Sequence, residues 1–454
     1  PVSPFPNRKH SVRTLTQPST HILILMAQLP AMRILRLLPA ALTMQSNVLH
    51  THAAAAQDAL TSDLIEWLRD KGAYINEKLV LRHLVPNDPS SPRGIFATED
   101  LDAGETVFSI PPELIVKPNE EHMEGLPEWA PYCGTINAVK EAMIIDGEKN
   151  TPYGTYLRAQ PKAYTPEFWS DSGKELLMEM LESTRTEQLT EYDELPPHGV
   201  DWRFEELKTV CHGDLEDPLY LHAAMVVWAR ADWEFMVPFY DMLNHSNRNE
   251  NVKHKFGYMD NIAETGYEVI ADKIEAGGEL FLSYNRCKLC HDNYDWFGTP
   301  EMFLQFGFVE SMPQRWLFDF ARIKFDLDWK NDSYNDNETN KDGGGELVAN
   351  FLVPPSSKGI RLLQEELTRL ESFATTYRVE NFEDEGIPKH EWEPLWQYYD
   401  ALRDALSVAV QSDVALSDEV WALDDNWWVK DGTQTAEDEN HYVLPTKSEN
   451  ISQG

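Results

Sequence analysis

Two stretches far apart in this chain are written in the same grammar. In PRGIFATEDLDAGETVFSIPPELIV (Pro92–Val116), Ile95 and Phe96 precede an acidic turn, and Ala103-Gly104 reverses the chain. Val107, Phe108 and Ile110 then form a strand that Pro111-Pro112 ends. In DKIEAGGELFLSY (Asp272–Tyr284) an acidic turn and an Ala-Gly pair again lead into a strand, Leu280 to Tyr284. Two such hairpin-like units with a long segment between them predict a small sheet domain interrupted by an insertion.

The rest of the chain sorts around that sheet. A short helix over Asp63–Asp70 is stopped by Lys71-Gly72. The insertion, 118–215, reads as mainly helical, with Lys174–Leu181 as one helix and Trp129, Trp169 and Trp202 supplying aromatic bulk. Leu219–Trp233, rich in Ala, Met and Val, reads as a buried helix, and Phe303–Phe308 closes the sheet domain. The polar run over 331–345, NDSYNDNETNKDGGG, reads as a loop. Beyond it Ile360, Leu363, Leu367 and Leu370, then Leu395, Tyr398, Leu402 and Leu406, repeat at helical spacing, so the third region, 311–454, is expected to be an acidic helical domain.

Charge narrows the partners. The formal net charge is −37, yet residues 1–57 hold five basic residues and no acid, which leaves 34 basic against 76 acidic residues from Asp58 onward. Such a body repels phosphate backbones and attracts basic peptides, so a protein substrate with a basic segment is expected and nucleic acid is not. Residues 1–57, with arginines, a short apolar run from Met32 and small residues near Ala56, have the form of a targeting segment or a disordered leader. Secretory entry and a plastid or mitochondrial destination both remain open, with the cytoplasm otherwise. Gln28, Arg33 and Arg36 interrupt the apolar run, so no retained membrane span is expected. If the leader is secretory, Asn331 and Asn337 become glycosylation candidates. Four cysteines, Cys133, Cys211, Cys287 and Cys290, are too few for a disulfide framework. Cys287, Cys290 and His291, with Cys211 or His212 as a further ligand, spell half a zinc site; the reading preferred is cysteines in an inserted loop and no metal.

At PFYDMLNHS (Pro238–Ser246) the sequence resembles a SET-domain methyltransferase, and more narrowly the group typified by Rubisco large-subunit lysine methyltransferase. The likeness is carried in order by PRGIFA at 92–97, AGE and its strand, Arg230 at a helix end, DMLNHS at 241–246, GGELFLSY at 277–284 and QFGFVE at 305–310. It implies an α+β fold: a β-rich, pseudoknotted SET domain in two parts, 75–117 and 216–310, interrupted by the helical insertion and followed by a helical substrate-binding domain. It also implies S-adenosyl-L-methionine as cofactor and methyl transfer to a protein lysine by a monomer.

The same resemblance assigns roles. Arg93 and Gly94 lie in a loop that receives the amino-acid end of the cofactor, with Gly94 allowing close approach or a positive φ. Asn244 and the backbone of His245 hold the cofactor, and the His245 ring makes a structural hydrogen bond rather than acting as a base. Arg230 pairs with a cofactor carboxylate or a buried acid. Tyr284 orients the acceptor amine, since displacement at a sulfonium needs alignment more than a strong base. Phe306 departs from the group's Tyr-Gly-Phe pattern, which points to altered methylation number or rate. The stretch 286–300 is longer than the group's, and Thr299 stands where an asparagine is usual. Trp421, Trp427 and Trp428 could dock a basic segment or pack in the tail. Two alternatives stay open: a histidine acceptor, and a degenerate SET module serving as a protein-binding adaptor.

Overall fold

The two Ala-Gly reversals fold onto each other. Gly104 and Gly277 take φ of 84° and 88°, left-handed conformations that residues with side chains rarely adopt, and so turn the chain tightly. Leu101 pairs with Ile274, and Ala97 exchanges main-chain hydrogen bonds with Gly278 and Gly277. The computed structural model describes residues 58–85, 91–127, 130–144, 151–161, 165–182, 195–197, 202–232, 234–255, 265–285, 297–330, 345–378 and 386–418. The leader over 1–57, Trp129, the 286–296 stretch with Cys287, Cys290 and His291, the loop over 331–344 with Asn331 and Asn337, and Trp421, Trp427 and Trp428 lie outside these residues.

Helix α1 spans 58–70. Strands β1 (Tyr74–Ile75), β2 (Leu79–His83), β3 (Arg93–Ala97) and β4 (Thr106–Ile110) follow. Helices α2 (Pro131–Ala142), α3 (Pro152–Arg158), α4 (Asp171–Leu181), α5 (Trp202–Thr209) and α6 (Pro218–Arg230) make up the insertion and its return to the sheet. Strands β5 (Asn244–His245), β6 (Val252–His254), β7 (Tyr267–Ala271) and β8 (Phe281–Leu282) complete the domain, and α7 (Thr299–Phe306) closes it. Its sheets are β1-β4-β7-β6, β2-β3 and the parallel pair β5-β8. The expected hairpins are therefore corrected. In each unit the two strands leave the turn for different sheets, β3 to β2 and β4 to β7 in the first, because the turns pair with each other rather than letting each unit close on itself.

The tail also departs from expectation. Before its helices α8 (Ser357–Tyr377) and α9 (Lys389–Gln411) it forms a three-stranded antiparallel sheet of β9 (Gln314–Phe318), β10 (Ile323–Trp329) and β11 (Leu347–Phe351). Ile323, Phe325 and Leu327 alternate along β10, the period of a strand rather than a helix. Lys324 and Asp326 are buried between them, and Arg315 grips Asp326 through hydrogen bonds of 2.8 and 3.1 Å, so both faces of this strand are covered.

Two hydrophobic cores divide the molecule, and the insertion divides between them. Ile136, Val139, Tyr153, Tyr156, Leu207 and Ala223 pack with the sheet residues Ile95, Phe108 and Val269. Leu177, Met180 and Leu181 of α4 instead pack with Trp316, Leu363, Leu367 and Tyr398 of the tail. Polar contacts repeat the pattern. The Glu391 carboxylate accepts from Ser170 N at 2.9 Å and Ser170 Oγ at 2.6 Å at the start of α4, Arg369 reaches Met180 O, and Tyr398 donates to Pro196 O. Helix α7 belongs to the second core through Phe303, whose ring stacks on Tyr398 at 4.3 Å.

Cys133 of α2 and Cys211 beyond α5 are joined by a disulfide within the first core. Cys211 is thereby removed as a metal ligand. Among the described residues no group of three or more His, Cys, Asp or Glu could hold a metal ion, and no helix is long and apolar enough to cross a membrane.

Glu391→Ala should leave Ser170 without its buried partner and lower stability by about 1–3 kcal/mol in urea unfolding. A loss below roughly 0.5 kcal/mol, the range of a neutral surface change, would mean that α4 is not anchored on the tail.

Candidate active site

Strand β5 is two residues long, and its neighbours in sequence serve opposite sides. It lies parallel to β8, with Asn244 beside Phe281 and His245 beside Leu282. Alternation along a strand sends the two side chains to opposite faces. The Asn244 amide donates to Arg93 O at 2.8 Å and to the Glu279 carboxylate at 2.7 Å. The His245 ring goes the other way, accepting at Nδ1 from Tyr284 N at 3.0 Å and meeting the Glu310 carboxylate through Nε2 at 3.0 Å.

Gly94 matters for space, not turn geometry, since a Cβ there would force the Glu279 carboxylate to move. A Cβ there would sit 2.1 Å from Glu279 Oε1 and 3.0 Å from Asn244 Nδ2. Arg93 and Gly94 open strand β3 instead of forming the expected loop. The Arg93 guanidinium turns away, donating to Thr61 at 2.9 Å and Asp58 at 3.3 Å on α1, and leaves its carbonyl toward Asn244. The bare backbone of Gly94, the Arg93 carbonyl, the Asn244 amide and the Glu279 carboxylate thus form a compact acceptor-rich cradle. Its acceptors, Arg93 O and the Glu279 carboxylate, fit the α-ammonium of an amino-acid moiety.

The turn before β5 is strained. Phe239 has φ 74°, an unfavourable value for a residue with a bulky side chain, and the short 3-10 turn Tyr240–Met242 follows. Within it Asp241 is buried, and neither carboxylate oxygen has a hydrogen-bond partner among the described residues. Burial pushes its pKa up to about 7, against the opposing pull of Arg230. Arg230, at the end of α6, donates to the main-chain oxygen of Asp241 at 2.8 Å, so it meets a buried acidic residue at its backbone. Tyr153 and Tyr156 from α3 add phenols whose pKa burial raises further, and the Tyr153 hydroxyl is also unpartnered among the described residues.

Tyr284 sits where these parts converge. Its hydroxyl donates to Leu243 O at 2.6 Å, and burial lifts its pKa to about 12, with Arg230 pulling the other way and Asp241 and Glu279 adding to the rise. Its ring lies 4.9 Å from Phe306 and 5.1 Å from His245, and Phe308 completes the aromatic wall 6.0 Å from His245 and 6.2 Å from Phe306. Tyr284 and Phe306, named separately from sequence, are therefore neighbours, as are Gly94 and Asn244. Three carboxylates were missed although each stood inside a quoted motif: Asp241, Glu279 and Glu310. Their signal was an acid embedded in an apolar run, FYDML, GGELFL and FGFVE, which a fold must either pair or use.

Residues 92–285 match the SET domain family model, so this part of the chain has a SET-domain fold. An uncharacterized protein of Schizosaccharomyces pombe is 22% identical over 293 residues, 58% of this chain and 58% of that protein, so the chain spans little more than half the length of the curated relative it matches. Rubisco LSMT bound to AdoMet is 14% identical with a TM-score of 0.44, covering 77% of this chain and 90% of that one. The SET domain of LSMT bound to lysine and AdoHcy is 14% identical with a TM-score of 0.40, covering 80% and 94%.

Asp241 gives the site a pH signature. Its folded pKa of about 7 lies above the roughly 3.9 of an unfolded aspartate, so the stability linked to its protonation is complete below about pH 4 and lost as pH rises through 7. Between pH 5 and 8 the wild type should lose about 2–3 kcal/mol relative to Asp241→Asn in paired denaturation curves. Parallel pH profiles for the two proteins would rule this out.

Proposed function

We propose that this chain, whose residues 92–285 form a SET domain, is an S-adenosylmethionine-dependent methyltransferase acting on a lysine side chain of a protein. The observation that carries the reading is the Tyr284 hydroxyl, which donates to Leu243 O at 2.6 Å and whose pKa burial pushes up to about 12. A phenol whose proton is engaged offers lone pairs to an incoming N–H. It aligns an amine and is a poor base. Alignment is what an in-line displacement needs, because the entropic part of the barrier is removed by holding nucleophile and electrophile in register.

The bound cofactor supplies an electrophilic methyl group on a sulfonium centre. The cradle of Arg93 O, Gly94, Asn244 and Glu279 supports binding of its ammonium end, and Arg230 fixes the turn that carries Asp241. His245 contributes its backbone to the same edge, while its ring is occupied by Tyr284 N and Glu310. Asp241 and Glu279 both act electrostatically on Tyr284. Arg230 opposes them, so the attraction of a cationic lysine rests on the acidic excess of the chain, 76 acidic against 39 basic residues. The acidic tail, packed on α4, is suited to hold a basic segment of the substrate protein. Phe306 leaves the wall beside Tyr284 apolar, and that supports room for an already methylated amine.

Radiolabelled cofactor added to a cell extract with the protein should place label on lysine after acid hydrolysis. Label on histidine alone would replace the acceptor, and no label on any residue would end the methyltransferase reading. Tyr284→Phe should lower kcat by about 10²–10³-fold, as loss of one transition-state hydrogen bond commonly does, while cofactor affinity changes little. Phe306→Tyr, which adds a hydroxyl beside Tyr284, should shift products toward fewer methyl groups per lysine in intact-mass analysis. An unchanged product distribution would remove Phe306 from control of methylation number.

A further inference from the structure

We infer that Glu310 is a positioning residue for Tyr284, acting through the His245 ring; the link to turnover rests on the proposed function, and the link to the ring does not. Glu310 lies outside the strands and helices that form the site, and its side chain has no solvent exposure. Its Oε2 accepts from His245 Nε2 at 3.0 Å, Asn247 Nδ2 at 2.7 Å and Asn285 Nδ2 at 2.9 Å, and its Oε1 accepts from Thr299 Oγ1 at 2.7 Å. A buried carboxylate is costly unless donors surround it, and this one has four. Those donors come from β5 and the segment after it, the residues after β8 and the first residue of α7. Ser283 Oγ adds a cross-tie to Asn247 Oδ1 at 2.8 Å, and Asn247 also donates to Pro313 O at 3.1 Å.

The arrangement fixes the ring of His245 by donor logic. Tyr284 N is a main-chain donor and is 3.0 Å from Nδ1, so Nδ1 must carry a lone pair. The proton therefore sits on Nε2 and points at Glu310 Oε2. The carboxylate holds that tautomer, the tautomer holds the Tyr284 backbone, and the Tyr284 hydroxyl remains on Leu243 O. Thr299, unusual at its position by resemblance, supplies the fourth donor to Glu310 and so ties the closing helix to the same anchor. The logic is that of a side chain oriented by a carboxylate so that its other end does useful positioning, here of a main-chain group.

Nitrogen NMR of histidine-labelled full-length protein should show His245 as the Nε2–H tautomer; an Nδ1–H or averaged signal overturns the inference whether or not the protein methylates anything. Glu310→Met, close in shape but without acceptors, should lower kcat about 100-fold, the scale of a misplaced catalytic group, with cofactor affinity within about 3-fold. Unchanged kcat overturns it. If that variant fails to fold, Glu310→Gln serves in a double-mutant cycle with His245→Asn. The double variant should be no slower than His245→Asn alone, because Glu310 acts through the ring. Losses that multiply mean that Glu310 acts on the fold and not through His245. A wild type that neither binds cofactor nor turns over would remove the proposed function, while the tautomer would still decide this inference.

Discussion

A carboxylate with no exposure must be met by donors from wherever the chain can supply them, and the donors around Glu310 come from β5, the residues after β5 and β8, and the start of α7. This requirement brings the residues after β5 beside the end of the β8 segment and sets the first turn of α7 against both. Residues of α7 one turn apart then face different parts of the molecule. Phe303 stacks on Tyr398 in the tail core, and Phe306 closes on Tyr284. A displacement of the tail would therefore be felt at the Tyr284 wall through one short helix ending at Gly307, which has the left-handed conformation that stops it.

The site is not built for stability. Among the described residues neither oxygen of buried Asp241 and no buried hydroxyl of Tyr153 has a hydrogen-bond partner, and Phe239 holds a backbone conformation that costs energy. Such groups are tolerated where a ligand completes them. Two carboxylates, Asp241 and Glu279, bias Tyr284 electrostatically, while Arg230 opposes them. The phenol stays neutral in this buried setting, which suits the alignment of a neutral nucleophile better than proton abstraction by the phenol.

Much of the site was legible because its contacts are short in sequence or repeat a motif. Asn244, His245 and Tyr284 lie in two motifs whose strands pair directly, and Gly94 was recognisable as a position where backbone must come close. The reason for Gly94 was not legible, since the crowding atom belongs to Glu279, far along the chain. The hairpins were misread because turn chemistry specifies a reversal and not the partner of each strand. The tail sheet left a readable trace in the alternation of Ile323, Phe325 and Leu327, which the stronger helical periodicity beyond Ser357 overshadowed. The split of the insertion left none: Leu177 and Leu181 look alike in sequence whichever core receives them. Glu391, which anchors α4, lies in a helix read only for its apolar face.

The claim on which the rest stands is that the cradle of Arg93, Gly94, Asn244 and Glu279 binds S-adenosylmethionine. Isothermal titration of the full-length protein with that cofactor tests it most directly. The account predicts one saturable site that Asn244→Ala abolishes while the variant keeps its fold. A wild type that gives no binding heat and no shift in melting temperature at millimolar cofactor would contradict it.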